Sequence, residues 1–336
     1  MYSLVFHRTL PQVAMAASPP REVPTTPDDG PNTPVFNVDL ESAETMTLDN
    51  YVFPRDRLKT ILSDPSRTPL VLVSCGSFSP PTNLHLRMFE QAADYCQFQT
   101  NYEIIGGYFS PVGDAYKKAG LASAYHRINM TRIAVRDSSD WISVDPWEPL
   151  HKEYLPTVKV LDHFEHELND VMGGIETASG EKRRVHVALL AGADLIQTMS
   201  TPGLWAQEDL KRILGHYGAF ILERSGTDIG KSLNILYWVQ RLIDPTQDDA
   251  LASLQQYRDK IHIMQQLIQN DVSSTKIRLF RKRGMSIRYL IPDNVVRYID
   301  AHDLYRDERK VAATEKGKER ASDNSSSDSE FPSSST

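Results

Sequence analysis

Two short stretches of this sequence combine hydroxyls, a turn glycine and cations at spacings suited to holding phosphate. The first is CGSFSPPTNLH, Cys75 to His85. A glycine at position 76 lets the backbone turn sharply, so that the N–H groups of Ser77 and Phe78 can line an anion cradle. A helix starting near Thr82 or Asn83 adds its unpaired N–H donors and the positive end of its dipole. Thr82 and His85 are three residues apart and share one face of the first helical turn, within reach of the same phosphate. The second stretch is NDVSSTKIR, in which Ser273, Ser274 and Thr275 are good helix caps and Lys276 and Arg278 fall in the first turns of the helix they start. Each stretch alone also describes an ordinary capped helix. Thr82 would then be only an N-cap with a surface histidine beyond it, and residues 273–278 a capped helix with a solvated basic face.

The surrounding elements decide between these readings. PLVLVSC, YEIIGGYF, WISV, VHVALLAG and GAFILER are apolar and β-branched, and between them lie NLHLRMFEQAADYC, YHRINMTRIAVRD, LPTVKVLDHFEHEL and LWAQEDLKRILGHY, which have helical spacing. Strands and helices alternate, and the strands are nearly continuous in apolar character. This pattern predicts an α/β, Rossmann-like parallel sheet with helices on both faces, in a single main domain. Such sheets bind ligands beyond the carboxyl ends of their strands. Both CGSFS and the Gly192–Asp194 turn of LLAGAD stand there, so the opening turn reads as a phosphate cradle and residues 273–278 as a second clamp on a polyphosphate.

Composition narrows the classes. The chain has 336 residues, 40% hydrophobic and 24% charged, with a mean hydropathy of -0.40, enough for a sizeable core. A net charge of -7 argues against a nucleic-acid partner, which needs a basic excess. Two cysteines, Cys75 and Cys96, have no metal-ligand spacing and suit a reducing compartment. No apolar run approaches the ~20 residues of a membrane span. Residues 1–45, rich in Pro, Thr, Ala and Asp, read as a disordered arm, and residues 307–336 as a disordered Ser-rich charged tail. The catalytic domain is expected at 46–306, with 173–184 a flexible loop. Lys182, Arg183 and Arg184 in that loop offer part of a nuclear import signal, with a solvated loop the plainer reading. A mitochondrial signal in the first twenty residues has only Arg8 to support it. The long segment from Gly226 to Asp271, with its glutamine-rich LASLQQYRDKIHIMQQL, is expected to form a surface or oligomer-interface helix.

Six blocks, CGSFSPPTNLHLRMFE, SPVGDAYKKAGL, VDPWE, LLAGADL, LWAQEDL and DVSSTKIR with the following RGMSIRYLIPDNVVRYI, resemble in order the eukaryotic nicotinamide/nicotinic acid mononucleotide adenylyltransferases over about Leu70 to Tyr305. The resemblance implies transfer of the adenylyl group of ATP to nicotinamide or nicotinic acid mononucleotide, giving NAD or deamido-NAD and pyrophosphate. It implies that Gly76, Ser77, Phe78, Thr82, His85, Gly192, Asp194, Ser274, Thr275 and Arg278 hold ATP. Asp194 would take the ribose hydroxyls. Ser77, Phe78, Lys117, Trp147, Glu148 and Trp205 would hold the mononucleotide, the tryptophans through its electron-poor pyridinium ring. His85, Arg278 and Lys117 would be the groups that stabilise charge in the reaction. No carboxylate cluster is evident, so Mg2+ is expected to ride on the ATP phosphates and no protein metal site is expected. A homo-oligomer is expected, and the reducing setting that the cysteines suit is nuclear or cytoplasmic. Two departures stand out: Ser79 occupies the family's asparagine position and Pro81 an aliphatic one. The alternatives are another adenylyltransferase or synthetase of the same superfamily, and a non-catalytic nucleotide-dependent chaperone or scaffold.

Overall fold

The computed structural model describes residues 46–199, 204–223 and 260–306. The first short strand, β1 (Ile61–Leu62), precedes the long central strand β2 (Thr68–Gly76). Helix α1 (Asn83–Gln99), β3 (Tyr102–Pro111), α2 (Ala124–Arg136), β4 (Ile142–Val144) and α3 (Thr157–Glu165) follow in alternation. A hairpin of β5 (Ile175–Thr177) and β6 (Lys182–Arg183) leads into β7 (His186–Gly192), α4 (Ala193–Met199), α5 (Gln207–Arg212), β8 (Ala219–Glu223), β9 (Ile261–Gln265), α6 (Ser274–Arg283) and α7 (Asp293–Ala301).

The main sheet has the order β4-β3-β2-β7-β8-β9, and all its pairings are parallel. The chain therefore winds outward from β2 to one edge and then returns to add β7, β8 and β9 on the other side. The winding reverses between β2 and β7, where an open α/β sheet leaves a crevice at its carboxyl edge. The turns after β2 and β7 border that crevice.

The strand sequence LVLV divides between the two faces as a period of two requires. Leu70 and Leu72 join Met88, Phe89 and Ala92 of α1 in one buried cluster. Val71 and Val73 join Val160, Leu161 and Phe164 of α3 in another. A third cluster unites Met130 and Ile133 of α2, Ile277 of α6 and Val295 and Ile299 of α7. This last cluster fixes the start of α6 beside the crevice.

Two expectations change. The segment 173–184 forms a hairpin that pairs with β1 in a three-stranded sheet. Ile175 and Thr177 are buried, and Gly174 adopts a positive φ of 84° where an added Cβ would strike the Arg183 carbonyl. Composition suggested a loop because its polar residues are the outward half of the hairpin. The expected surface helix ends differently as well: IHIMQ is β9, the edge strand paired along β8. The part of that expectation from 226 to 259 lies outside the described residues, as do the expected arm at 1–45 and tail at 307–336.

Candidate active site

The opening turn is built around Phe78. Its backbone takes φ 43°, a left-handed conformation costly for a bulky residue. Its ring is 3% exposed and packs edge to face on Phe109, 4.8 Å away, and on His85, 5.4 Å away. A Cβ on Gly76 would lie 2.9 Å from the Phe78 ring. Glycine is required there by the close approach of that ring, whereas the sequence reading put the reason in the turn itself. The Ser79–Pro80 peptide is cis.

Thr82 is the N-cap of α1 and is fully buried. Its backbone N–H donates to His85 Nδ1 at 2.9 Å, and its hydroxyl lies 2.9 Å from the same nitrogen. The capping and phosphate-binding readings of this pair are therefore compatible. An N–H can only donate, so Nδ1 accepts and the proton of the ring is on Nε2. The cap thereby sets the tautomer that presents an N–H donor on the far edge of the imidazole.

The second stretch reaches the first directly. Ser273 caps α6 by accepting from Lys276 N–H. The Ser274 hydroxyl donates to the Pro80 carbonyl at 2.8 Å, and Arg278 Nη1 donates to the Ser79 carbonyl at 2.9 Å. Arg278 Nη2 donates to Thr275 Oγ1 at 3.3 Å. Two segments about two hundred residues apart thus form one wall of the crevice, and Arg278 is 9% exposed within it.

Several residues that the sequence did not single out hold this wall. Arg127 is fully buried, and its guanidinium donates to the Ala122 carbonyl at 2.9 Å, the Ser77 carbonyl at 3.2 Å and Asp114 Oδ1 at 3.1 Å. Asp114 also accepts from Ala124 N–H at 2.7 Å. Ser79, in the family's asparagine position, accepts from Ala122 N–H at 3.0 Å and shares a 2.7 Å hydrogen bond with the Tyr305 hydroxyl. Burial pushes that phenol up to about 12. Arg127, one of two arginines in YHRINMTR, has no sequence mark of this role.

The loop from 113 to 122 carries Lys117, which is exposed, as is Lys118. Tyr116 stacks on Tyr154 with centroids 6.0 Å apart. Gly120 turns with φ 77°, and the place of a Cβ there is 3.8 Å from Arg278 Nε, so the loop runs beside the Arg278 wall.

Across the crevice, Glu148 is 3% exposed. Burial pushes its carboxyl up from the ordinary 4.5 to about 8, against hydrogen bonds from Gly113 N–H and Ser110 and the attraction of Arg127. Burial likewise pushes the Cys75 thiol up, with Glu148 and Asp145 adding to it. Trp147 is half-buried, and its indole lies parallel to the His163 ring at 4.0 Å with His151 edge-on at 4.4 Å. Trp205 is half-buried too, donating from Nε1 to Thr198 Oγ1 at 3.2 Å. Both tryptophans pack against the α3 side of the core. Gly192 ends β7, and a Cβ there would meet nothing within 4 Å. Asp194 is the second residue of α4. Its side chain lies outside the described residues. Among the described residues no three His, Cys, Asp or Glu side chains stand close enough to hold a metal ion, and no helix is long and apolar enough to cross a membrane.

A parallel sheet whose winding reverses at a glycine turn, with the N-terminus of a second helix bonded to that turn, defines a Rossmann-like α/β protein. The family described as cytidylyltransferase-like matches residues 73–280, which include both stretches. The chain is 50% identical over 262 residues to nicotinamide/nicotinic acid mononucleotide adenylyltransferase 2 of Saccharomyces cerevisiae, covering 77% of this chain and 62% of that one. It is 50% identical over 264 residues to nicotinamide/nicotinic acid mononucleotide adenylyltransferase of Schizosaccharomyces pombe, covering 79% and 68%. Against adenylyltransferase 1 of Bos taurus it is 39% identical over 275 residues, covering 74% and 92%. This chain belongs to the nicotinamide/nicotinic acid mononucleotide adenylyltransferase family, and it spans about 62% of the length of the Saccharomyces relatives.

Proposed function

We propose that this protein transfers the adenylyl group of ATP to nicotinamide mononucleotide or nicotinic acid mononucleotide. A 5'-phosphate oxygen of the mononucleotide attacks the α-phosphorus of ATP in line. The bond from that phosphorus to the bridging oxygen breaks, and pyrophosphate leaves with the electron pair. The nucleophile is already an anion at neutral pH, so no general base is needed, and the protein's work is positioning and charge stabilisation. His85 Nε2–H and the N–H groups of the 76–78 turn and of the α1 N-terminus serve the phosphates of ATP. Arg278, Ser274 and Thr275 serve the leaving pyrophosphate, and Lys117 the phosphate of the mononucleotide. Trp147, Glu148 and Trp205 receive the pyridine ring. The open space over Gly192 suits the ATP ribose, with Asp194 beside it. Mg2+ enters as the magnesium salt of ATP.

The observation that carries this reading is the bonding of Ser274 and Arg278 to the Ser79–Pro80 turn, which makes one site of two phosphate-type stretches. Full-length protein, ATP, Mg2+ and each mononucleotide in turn should yield NAD or deamido-NAD with one pyrophosphate per turnover. No product from either mononucleotide would defeat the proposal and favour a non-catalytic scaffold. Self-association and a nuclear or cytoplasmic location belong to the same proposal; sedimentation velocity and imaging of the tagged full chain test them.

A further inference from the structure

Behind Trp147 lies a buried polar cluster that the proposed chemistry does not use. Asp145 is fully buried and His163 is 8% exposed. The Tyr51 hydroxyl donates to Asp145 Oδ1 at 2.9 Å and lies 2.9 Å from His163 Nε2. Having given its proton to the carboxylate, the phenol oxygen accepts from His163, so Nε2 carries a proton. The same carboxylate oxygen accepts from Trp147 N–H at 3.2 Å. Oδ2 lies 3.3 Å from His163 Nε2 but out of hydrogen-bond alignment. The hydroxyl and backbone donors on this carboxylate are neutral; Arg132 of α2 is a cation that feels its field. His163 in turn lies flat against the Trp147 indole, with an interplanar angle of 1°. Tyr51 also packs edge-on to His163, at 5.5 Å.

A carboxylate kept in the interior without a directly bonded cation is costly, and its field is poorly screened. Here it points through one imidazole at one indole. Negative charge behind an aromatic wall favours a cation in front of it, in the same sense as the ring's own quadrupole. The oxidised pyridine rings of both mononucleotides are such cations, whereas a reduced dihydropyridine ring is neutral.

We propose that Asp145, held by Tyr51 and relayed by His163, is a specificity-determining group that biases the Trp147 wall toward a cationic ring. Asp145 and His163 are positioning residues, and the inference rests on Trp147 receiving the pyridine ring.

The test compares the Michaelis constants for nicotinamide mononucleotide, its reduced form and ATP. In Asp145→Asn the constant for the oxidised mononucleotide should rise about fivefold, with those for the reduced form and ATP within about twofold of wild type. His163→Phe keeps a flat ring against the indole without the polarised imidazole; it should shift the same way and serves if Asp145→Asn does not fold. Equal changes for oxidised and reduced mononucleotide, or no change in either, would overturn the proposal. Trp147→Ala separates the two levels of inference. If it weakens both mononucleotides but not ATP while Asp145→Asn discriminates nothing, the wall stands and the charge proposal fails. If Trp147→Ala alters ATP and mononucleotide alike, the ring-binding reading fails and takes this proposal with it.

Discussion

Arg127 offers the sharpest test of how the site is held together. Replacing it with methionine keeps the length and apolar stem but leaves the Ser77 and Ala122 carbonyls without their donors. Each bond from a guanidinium to a buried acceptor is worth about 1.5–3 kcal/mol. The third arm, to Asp114, counts for little, because that carboxylate is 62% exposed. The two carbonyl bonds together predict a loss of about 3–6 kcal/mol, or a fall in Tm on the order of 10 °C. Arg127→Lys should lose roughly half as much, since one ammonium cannot span both carbonyls in a fork. Stability alone would not show that the residue serves the site. Leu214→Ala, a cavity variant in the core behind β8, costs a comparable ~2–5 kcal/mol and is the control. On the proposed function, both Arg127 variants raise the Michaelis constants for ATP and mononucleotide together, because Ser77 and the 113–122 loop hang on the same guanidinium, while Leu214→Ala lowers Tm alone. Differential scanning fluorimetry and steady-state kinetics on the three variants suffice. Wild-type Michaelis constants in Arg127→Met at a temperature where it remains folded would refute the coupling.

Three further outcomes follow from the geometry. His85→Gln can still accept from Thr82 N–H, as Gln commonly does at this capping position, so it should keep its Tm while losing adenylyl transfer by about 100-fold; turnover near wild type would remove His85 from the phosphate clamp. For Glu148 the folded pKa of about 8 lies above the ordinary 4.5, so the folded state binds the extra proton between them. Its contribution to stability is complete below that range and is lost as pH rises through about 8. Tm should therefore fall from pH 6 to pH 9 and fall less steeply in Glu148→Gln; parallel profiles would show that Glu148 does not titrate there. Trp205→Ala should weaken the mononucleotide by about 1–3 kcal/mol with little effect on ATP; a large fall in Tm with an unchanged mononucleotide constant would make Trp205 a core residue.

The sheet was legible because buried parallel strands need no alternation: PLVLVSCG and VHVALLAG are apolar on both faces, and each ends at a glycine on the crevice. The capped starts of α1 and α6 were legible because caps and turns are local chemistry, readable within ten residues. What escaped was non-local. Arg127 looks like any helical arginine until α2 folds back under the 76–79 turn. Tyr305 lies far along the chain from Ser79, and nothing in either neighbourhood foretells their hydrogen bond. The strand IHIMQ was hidden by glutamines that read as helix formers, and its alternating Ile261 and Ile263 gained meaning only from β8 beside it. Glu148 was visible as a carboxyl beside a tryptophan, yet its raised pKa comes from burial by elements that the sequence does not show to be adjacent.

The hydrogen bonds of Arg278 change what its substitution would measure. From sequence it stood as a cation free to clamp a triphosphate. In the fold two of its nitrogens are already committed, one to the Ser79 carbonyl and one to Thr275. A guanidinium has five N–H donors, so it can hold the turn and still offer a donor to a phosphate. The same commitments fix its direction before any ligand arrives, which is what lets a charge stabilise a transition state without reorganising at the moment of reaction. On the proposed function, Arg278→Ala would therefore remove a clamp and loosen the turn together. Arg278→Lys separates the two: it keeps the charge and gives up the fork. If preorganisation matters more than charge, Arg278→Lys should be nearly as slow as Arg278→Ala, whereas recovery of most of the rate by lysine would show that charge alone suffices.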